Sequence, residues 1–319
     1  MNFEMNTTWA LVLLAAGLVI LWKSADVLVS GAVGLAKKFQ ISPLVIGLTV
    51  VAMGTSAPEV AASVAAALRN NPNIALGNVY GSNIANLALV GGLCAIISPI
   101  SIRMSTLKRE MPVMLGVGLL LLPLLSDSFL SRAESIILLC LFAGLITLTV
   151  YYARKKPETF VAETDSNNTK EKSLLINFVF VAIGLAGLAF GAEITVKGAV
   201  VIGAKAGLSN AVIGLTIVAI GTSLPELVTC LVATFKGHDD ISIGNLVGSN
   251  IFNTLLVTGT AGVIKPFEVV GRLKGFDYWV MISVCAGFIL LGIIQKKISR
   301  TGGVILLACY VIYIGYLFI

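Results

Sequence analysis

Charge is scarce in this sequence. Only 12% of its 319 residues are Asp, Glu, Lys or Arg, where a soluble domain carries about 25%. Histidine is rarer still, with His238 alone, and the five cysteines (Cys94, Cys140, Cys230, Cys285, Cys309) stand singly, without CxxC or Cys/His spacing. That excludes a zinc or thiol redox site, and the cysteines read as small packing residues. No Lys or Arg precedes the first apolar run. A cleavable signal peptide is therefore not expected, and that run reads as a spanning helix with its N-terminus outside. Little chain is left for a soluble domain, and no enzyme is expected.

Apolar residues fill the space that charge leaves: 57% of the chain is hydrophobic. Ten apolar runs follow one another, roughly 8–29, 43–68, 73–99, 111–126, 133–153, 174–196, 211–235, 241–264, 278–295 and 302–318. Most are long enough for a spanning helix of about 20 residues. The expected class is an all-α, multi-pass membrane protein with ten transmembrane helices. The net charge of +6 does not point to nucleic acid; its distribution is more telling. With the loops assigned to alternate sides, 14 basic residues fall on one side (among them Lys37, Arg103, Lys155, Lys236 and Lys297) and 6 on the other (Arg69, Arg132, Lys205, Lys265, Arg272, Lys274). The positive-inside rule makes the richer side cytoplasmic. Both termini are then expected outside a cell (plasma) membrane, with segment 154–173 inside.

The chain is written twice. Residues 42–59 (SPLVIGLTVVAMGTSAPE) and 209–226 (SNAVIGLTIVAIGTSLPE) agree at thirteen of eighteen positions. GNVYGSNIAN at 77–86 agrees with GNLVGSNIFN at 244–253 at seven of ten, and the offset is 167 throughout. Each unit holds five spans, an odd number, so the second is expected to lie inverted. The divisions are a first five-helix half at 1–153, a polar cytoplasmic linker at 154–173 and an inverted half at 174–319. Helices 2, 3, 7 and 8 are expected to be interrupted around a cation site at the midplane.

The site residues declare themselves by being polar inside apolar runs. Glu59 and Glu226 follow Thr55-Ser56 and Thr222-Ser223 at helical spacing, and an acid inside a bilayer is costly and usually functional. Pro58 and Pro225 lack the N–H that would reach back to the carbonyls of Gly54 and Gly221. Asn78, Ser82 and Asn86 form a polar stripe at every fourth residue, repeated as Asn245, Ser249 and Asn253. All are hard oxygen ligands of the kind calcium takes, six to eight at a time. The Ser and Asn stripes fit equally well a role in joining helices. That role does not cover the glutamates, because neither has a Lys or Arg within a helical turn. Asp26 and Glu193 differ: Lys23 and Lys197 lie within reach along the same helices, and local ion pairs are expected. Asp239 and Asp240 read as solvated loop residues.

GTSAPE and GTSLPE, each followed by GNxxGSNIxN, resemble the two alpha-repeats of the cation/calcium (Ca2+:cation antiporter) exchanger superfamily, specifically its sodium/calcium exchanger family. The resemblance implies four central sites, one for Ca2+ and the others for Na+. Glu59 and Glu226 would be the shared carboxylates, and the carbonyls of Thr55 and Thr222 would complete the calcium shell. Ser56, Ser82 and the carbonyl of Ala52 would serve sodium on one side. Ser223, Ser249 and the carbonyl of Ala219 would serve it on the other, with Asn86 and Asn253 lining the middle site. The potassium-dependent branch carries Asp where this chain has Asn253, so potassium cotransport is not expected.

The expected activity is antiport of Na+ against Ca2+ by alternating access, moving net charge, with no cofactor beyond the transported ions. A proton/calcium antiporter on the same acids is the first rival, a cation channel the second and a non-transporting scaffold the third. The partners are the bilayer and the ions; a homodimer is left open.

Overall fold

In the computed structural model, which describes residues 6–155, 173–208 and 219–317, the protein is a helical membrane protein. Among the described residues, seven helices are long and apolar enough to span a bilayer, and one bent pair makes an eighth. In chain order the elements are α1 (Thr7–Phe39), the bent pair α2 (Pro43–Thr55) and α3 (Ala57–Leu68), α4 (Pro72–Ile97), β1 (Ile100–Ser101), α5 (Met104–Lys108), α6 (Glu110–Leu124), β2 (Phe129–Leu130) and α7 (Arg132–Lys155). After residue 173 come α8 (Leu174–Lys205), α9 (Ala219–Thr222), α10 (Leu224–Phe235), α11 (Asp239–Ile264), β3 (Phe267–Glu268), α12 (Phe276–Gln295), β4 (Lys297–Ile298) and α13 (Arg300–Leu317). The linker expected at 154–173 falls almost wholly outside the described residues, as does the first part of the run 211–235.

The longest helices, α1 and α8, are 33 and 32 residues and pack against each other along much of their length. Each is started by a side-chain cap, Asn6 accepting from the Thr8 N–H and Ser173 from the Ile176 N–H. Glycine makes their close approach possible: a Cβ on Gly184 would fall 2.7 Å from the Leu28 Cβ, and one on Gly198 would fall 2.6 Å from the Ala10 carbonyl oxygen. Helices α4 and α11 form the centre, each 72% buried, whereas α7 is 6% buried and faces outward. The two polar stripes thus lie on the two most enclosed helices.

Two short antiparallel ladders join early chain to late chain. β1 pairs with β4 (Ile100 opposite Ile298), and β2 pairs with β3 (Leu130 opposite Phe267). They sit at opposite ends of the molecule. Helix α4 starts beside β3, where Asn73 Nδ2 donates to the Glu268 carbonyl at 2.9 Å, and runs 26 residues to β1, a rise of about 39 Å.

Two expectations need correction. Asp239 and Asp240 are not solvated loop residues. They open α11 and tie it to the β1 end, Asp239 accepting from the Ser101 N–H at 2.9 Å and Asp240 pairing with Arg103 at 2.5 Å. Asp26 pairs not with Lys23 but with Lys236 at the end of α10, at 2.5 Å. Glu193 does take Lys197, at 2.6 Å along α8. Beside Lys236, outside the spanning segments, burial together with the charges of Lys236 and Lys37 holds the His238 imidazole below its usual range.

Candidate cation site

Each GTSxPE motif breaks a helix at its serine. α2 ends at Thr55, Ser56 leaves the helical region with φ −85° and ψ 8°, and α3 starts at Ala57 with a bend of 43°. Ser223 does the same between α9 and α10, with φ −89° and ψ 3°. Pro58 and Pro225 therefore start new helices, where a missing N–H costs nothing. The interruption expected in the two motif helices thus falls at Ser56 and Ser223, two residues before each proline. Glu59 and Glu226 then fall in the first turns of α3 and α10, where the positive end of the helix dipole favours a carboxylate.

Both glutamates are completely buried, and among the described residues neither forms an ion pair. They are close enough to repel one another. Ser56 Oγ donates to Glu226 Oε1 across the two halves at 2.8 Å, and Thr55 Oγ1 donates to Asn245 Oδ1 at 3.0 Å. Thr55 also neighbours Glu226, and Ser82 neighbours Glu59. The Ala52 carbonyl accepts the Ser56 N–H at 3.0 Å, and the Thr55 hydroxyl also lies within 3.4 Å of it. Ala219 opens α9, and Thr222 closes it half-buried.

Around this pair lies a set of buried polar atoms without hydrogen-bond partners. They are both Glu59 carboxylate oxygens, Glu226 Oε2, Ser223 Oγ, Ser249 Oγ and both side-chain atoms of the amides of Asn86 and Asn253. Buried polar atoms are normally paired, and each exception asks for a reason. Among the described residues, nine of the fifteen such atoms sit at residues that the motifs single out, and seven of those nine are oxygens. The geometry offers a hard, anionic, buried cradle with which no Lys or Arg among the described residues forms an ion pair.

The asparagines sit at further breaks. Helix α4 widens into a π-helical turn at Ala85–Val90, which carries Asn86, and α11 does so at Asn253–Val257. A third π turn, Gly47–Val51, precedes the motif in α2. Such turns shift the register of a helix and are frequent at functional sites. The π turn of α2 lies against α11, where a Cβ on Gly248 would fall 2.6 Å from the Leu48 carbonyl oxygen.

Asn78 and Asn245, singled out with the stripes, turn out to hold the motif helices in place. Asn78 Nδ2 donates to Ser63 Oγ at 3.1 Å and to the Glu59 carbonyl at 3.3 Å, while Asn245 Nδ2 donates to Cys230 Sγ at 3.3 Å. Ser63 and Cys230 are partners that sequence reasoning missed, although they share the 167-residue offset. Cys94 and Cys285 are buried, as packing residues should be, but Cys140 and Cys309 are exposed on the outside of the helical bundle. Asn83 was also missed: its Nδ2 donates to Thr254 Oγ1 at 2.9 Å, bridging α4 and α11.

The model of the family described as sodium/calcium exchanger protein matches residues 9–151 and 176–319. The chain belongs to that family. Among relatives of this exchanger-family chain, the inner membrane protein YrbG of Escherichia coli (strain K12) is 36% identical, over 97% of this chain and 97% of that protein. The sodium/calcium exchanger MaX1 of Methanosarcina acetivorans is 32% identical, over 96% and 97%. A solved structure of the sodium-calcium exchanger NCX_Mj, soaked with Na+ and Ca2+, superposes with a TM-score of 0.83 at 32% identity, covering 96% of this chain and 97% of that one. The family is one of membrane transporters that exchange cations, calcium among them, by antiport.

Proposed function

We propose that this chain exchanges Na+ for Ca2+ by alternating access, moving net charge at each cycle. The observation that carries the reading is the pair of buried, unpaired carboxylates ringed by unpartnered hydroxyl and amide oxygens. Two negative charges match one Ca2+, and they repel each other until a cation arrives. Glu59 and Glu226 bind calcium with the carbonyls of Thr55 and Thr222. Ser56, Ser82 and the Ala52 carbonyl take sodium on one side, Ser223, Ser249 and the Ala219 carbonyl on the other, and Asn86 and Asn253 line the middle. Sodium and calcium compete for one anionic cluster, and that competition is the coupling. With three Na+ per Ca2+, a tenfold sodium gradient and 100 mV give about 6.5 kcal/mol. That sustains a calcium gradient of between about four and five decades.

The architecture that goes with this reading is ten spans in a plasma membrane, as halves 1–153 and 174–319 inverted about the midplane. The segment 154–173 is cytoplasmic and both termini are outside. The two ladders support it: β1 and β3 occupy corresponding places in the two repeats yet lie at opposite ends of the molecule. Single introduced cysteines at Asn168 and Lys274 should label from opposite sides; labelling from the same side sinks the inversion.

The deciding experiment is radioactive calcium uptake into liposomes driven by an outward-directed sodium gradient, with pH and voltage clamped. Uptake that needs the sodium gradient is expected. Uptake that follows a proton gradient instead moves the protein to proton/calcium antiport, and single-channel currents in a planar bilayer move it to the channels.

A further inference from the structure

The repeat offset pairs four charged residues that the cation site does not use. Asp26 on α1 corresponds to Glu193 on α8, and Arg69 corresponds to Lys236. Arg69 and Lys236 stand at the C-terminal caps of α3 and α10, the two helices that carry the site glutamates. A cation is favoured at a helix C-terminus. Two equivalent acid–base pairs are therefore available, each linking a long helix to a site helix.

Only one of them is made. Lys236 Nζ lies 2.5 Å from Asp26 Oδ1, and beside this pair Trp22 of α1 rests on Phe235 of α10 with ring centroids 5.7 Å apart. In the other half, Glu193 turns back along its own helix to Lys197, and among the described residues Arg69 forms no ion pair. The packing differs in the same sense. α1 lies along α10, whereas the corresponding helices α8 and α3 barely touch. Two chemically equivalent interfaces are thus in opposite conditions, one closed and one parted.

The geometry points to a reciprocal latch: Asp26–Lys236 holds α1 against α10 in the state seen here, and Glu193–Arg69 replaces it when the protein faces the other way. Lys23 and Lys197 are the resting partners. Lys197 holds Glu193 now, and Lys23, three residues before Asp26, takes Asp26 when Lys236 lets go. Both existing pairs are substantially exposed, with side-chain exposures of 38% and 46% for Lys236 and Asp26 and 61% and 60% for Lys197 and Glu193. Exposed pairs are weak, so one exchanges for the other with little net cost, as a two-state device requires. The four residues are positioning residues, since none touches the cation cluster. The inference rests on the alternating-access reading.

The test uses cysteine pairs in a chain whose five native cysteines have been replaced. Asp26→Cys with Lys236→Cys should form a bridge under mild oxidation, and so should Glu193→Cys with Arg69→Cys. With all four changes together, a single molecule should carry either bridge but never both. Failure of the 69–193 pair to bridge, or both bridges in one molecule, overturns the latch. Charge variants give a second readout in liposomes of uniform orientation. Lys236→Gln should lower apparent calcium affinity on the side bearing Arg69 and raise it on the side bearing Lys236, each by about two- to fivefold. Arg69→Gln should do the reverse, and the swap of Asp26→Lys with Lys236→Asp should restore the original ratio. Effects in the same direction on both sides mark a merely structural role and overturn the proposal. Bridge formation needs no transport, so a missing sodium-driven flux would count against the exchange reading alone.

Discussion

The two copies of GTSxPE carry the same chemistry and are held differently. In the first, the Ser56 hydroxyl reaches across to Glu226 at 2.8 Å. In the second, Ser223 Oγ has no partner, and neither oxygen of Glu59 has one. The asparagines that brace the motif helices have diverged as well, Asn78 using a serine hydroxyl and Asn245 a cysteine sulfur. Near-identity of sequence has produced not a symmetric site but two differently bonded copies. On the proposed alternating-access reading, a second arrangement of equal chemistry exists, and the unpartnered atoms indicate where it forms.

That comparison is broken most severely at the carboxylates. Glu59→Gln and Glu226→Gln should each reduce calcium flux at least about 100-fold, because ligand charge sets calcium affinity over several decades. The double variant should be no worse than either single one, since residues acting as a unit give non-additive losses. Near-normal flux in either single variant, at matched incorporation into liposomes, would end the shared-site reading. The serines sharpen the comparison with a smaller effect. Ser56→Ala removes a charge-assisted hydrogen bond present in this state and Ser223→Ala does not. Ser56→Ala should therefore weaken sodium activation on the side bearing Arg69 about three- to tenfold. Ser223→Ala should do so mainly on the opposite side, and equal effects on both sides would remove the asymmetry. The smallest expected effect is none at all: with Asn253 in place of an acid, external potassium should leave flux unchanged at clamped voltage. A strict potassium requirement would overturn that assignment.

The candidate site is more legible in the sequence than the frame around it. A Glu, Ser or Asn inside an apolar run stands out against its surroundings, and the second copy removes the accident. What composition does not encode is register. The π turns at Gly47–Val51, Ala85–Val90 and Asn253–Val257 add a residue to a helical turn without changing its polarity, so apolar runs pass straight through them. Hydropathy misled the helix ends. The runs 8–29 and 174–196 stop about ten residues short of Phe39 and Lys205, because Ser30-Gly31 and Lys197-Gly198 interrupt hydropathy but not a helix. Local spacing also chose the wrong partner for Asp26. Lys23 lies three residues away, but Lys236, 210 residues away, sits at the end of a packed helix that delivers its charge.

Each two-residue ladder draws one strand from before residue 155 and one from after residue 173, so neither half of the chain owns a complete end. Two separate polypeptides divided between those residues would still hold every backbone hydrogen bond of both ladders, and would complete them only as a pair. The same is true of two copies of a single ancestral five-helix unit inserted in opposite directions, whose interface would already contain both. Joining such copies into one gene leaves both ladders as they are. On the proposed inverted reading it guarantees one partner in each orientation, and it frees the copies to differ, as Ser63 and Cys230 or Asp26 and Glu193 do.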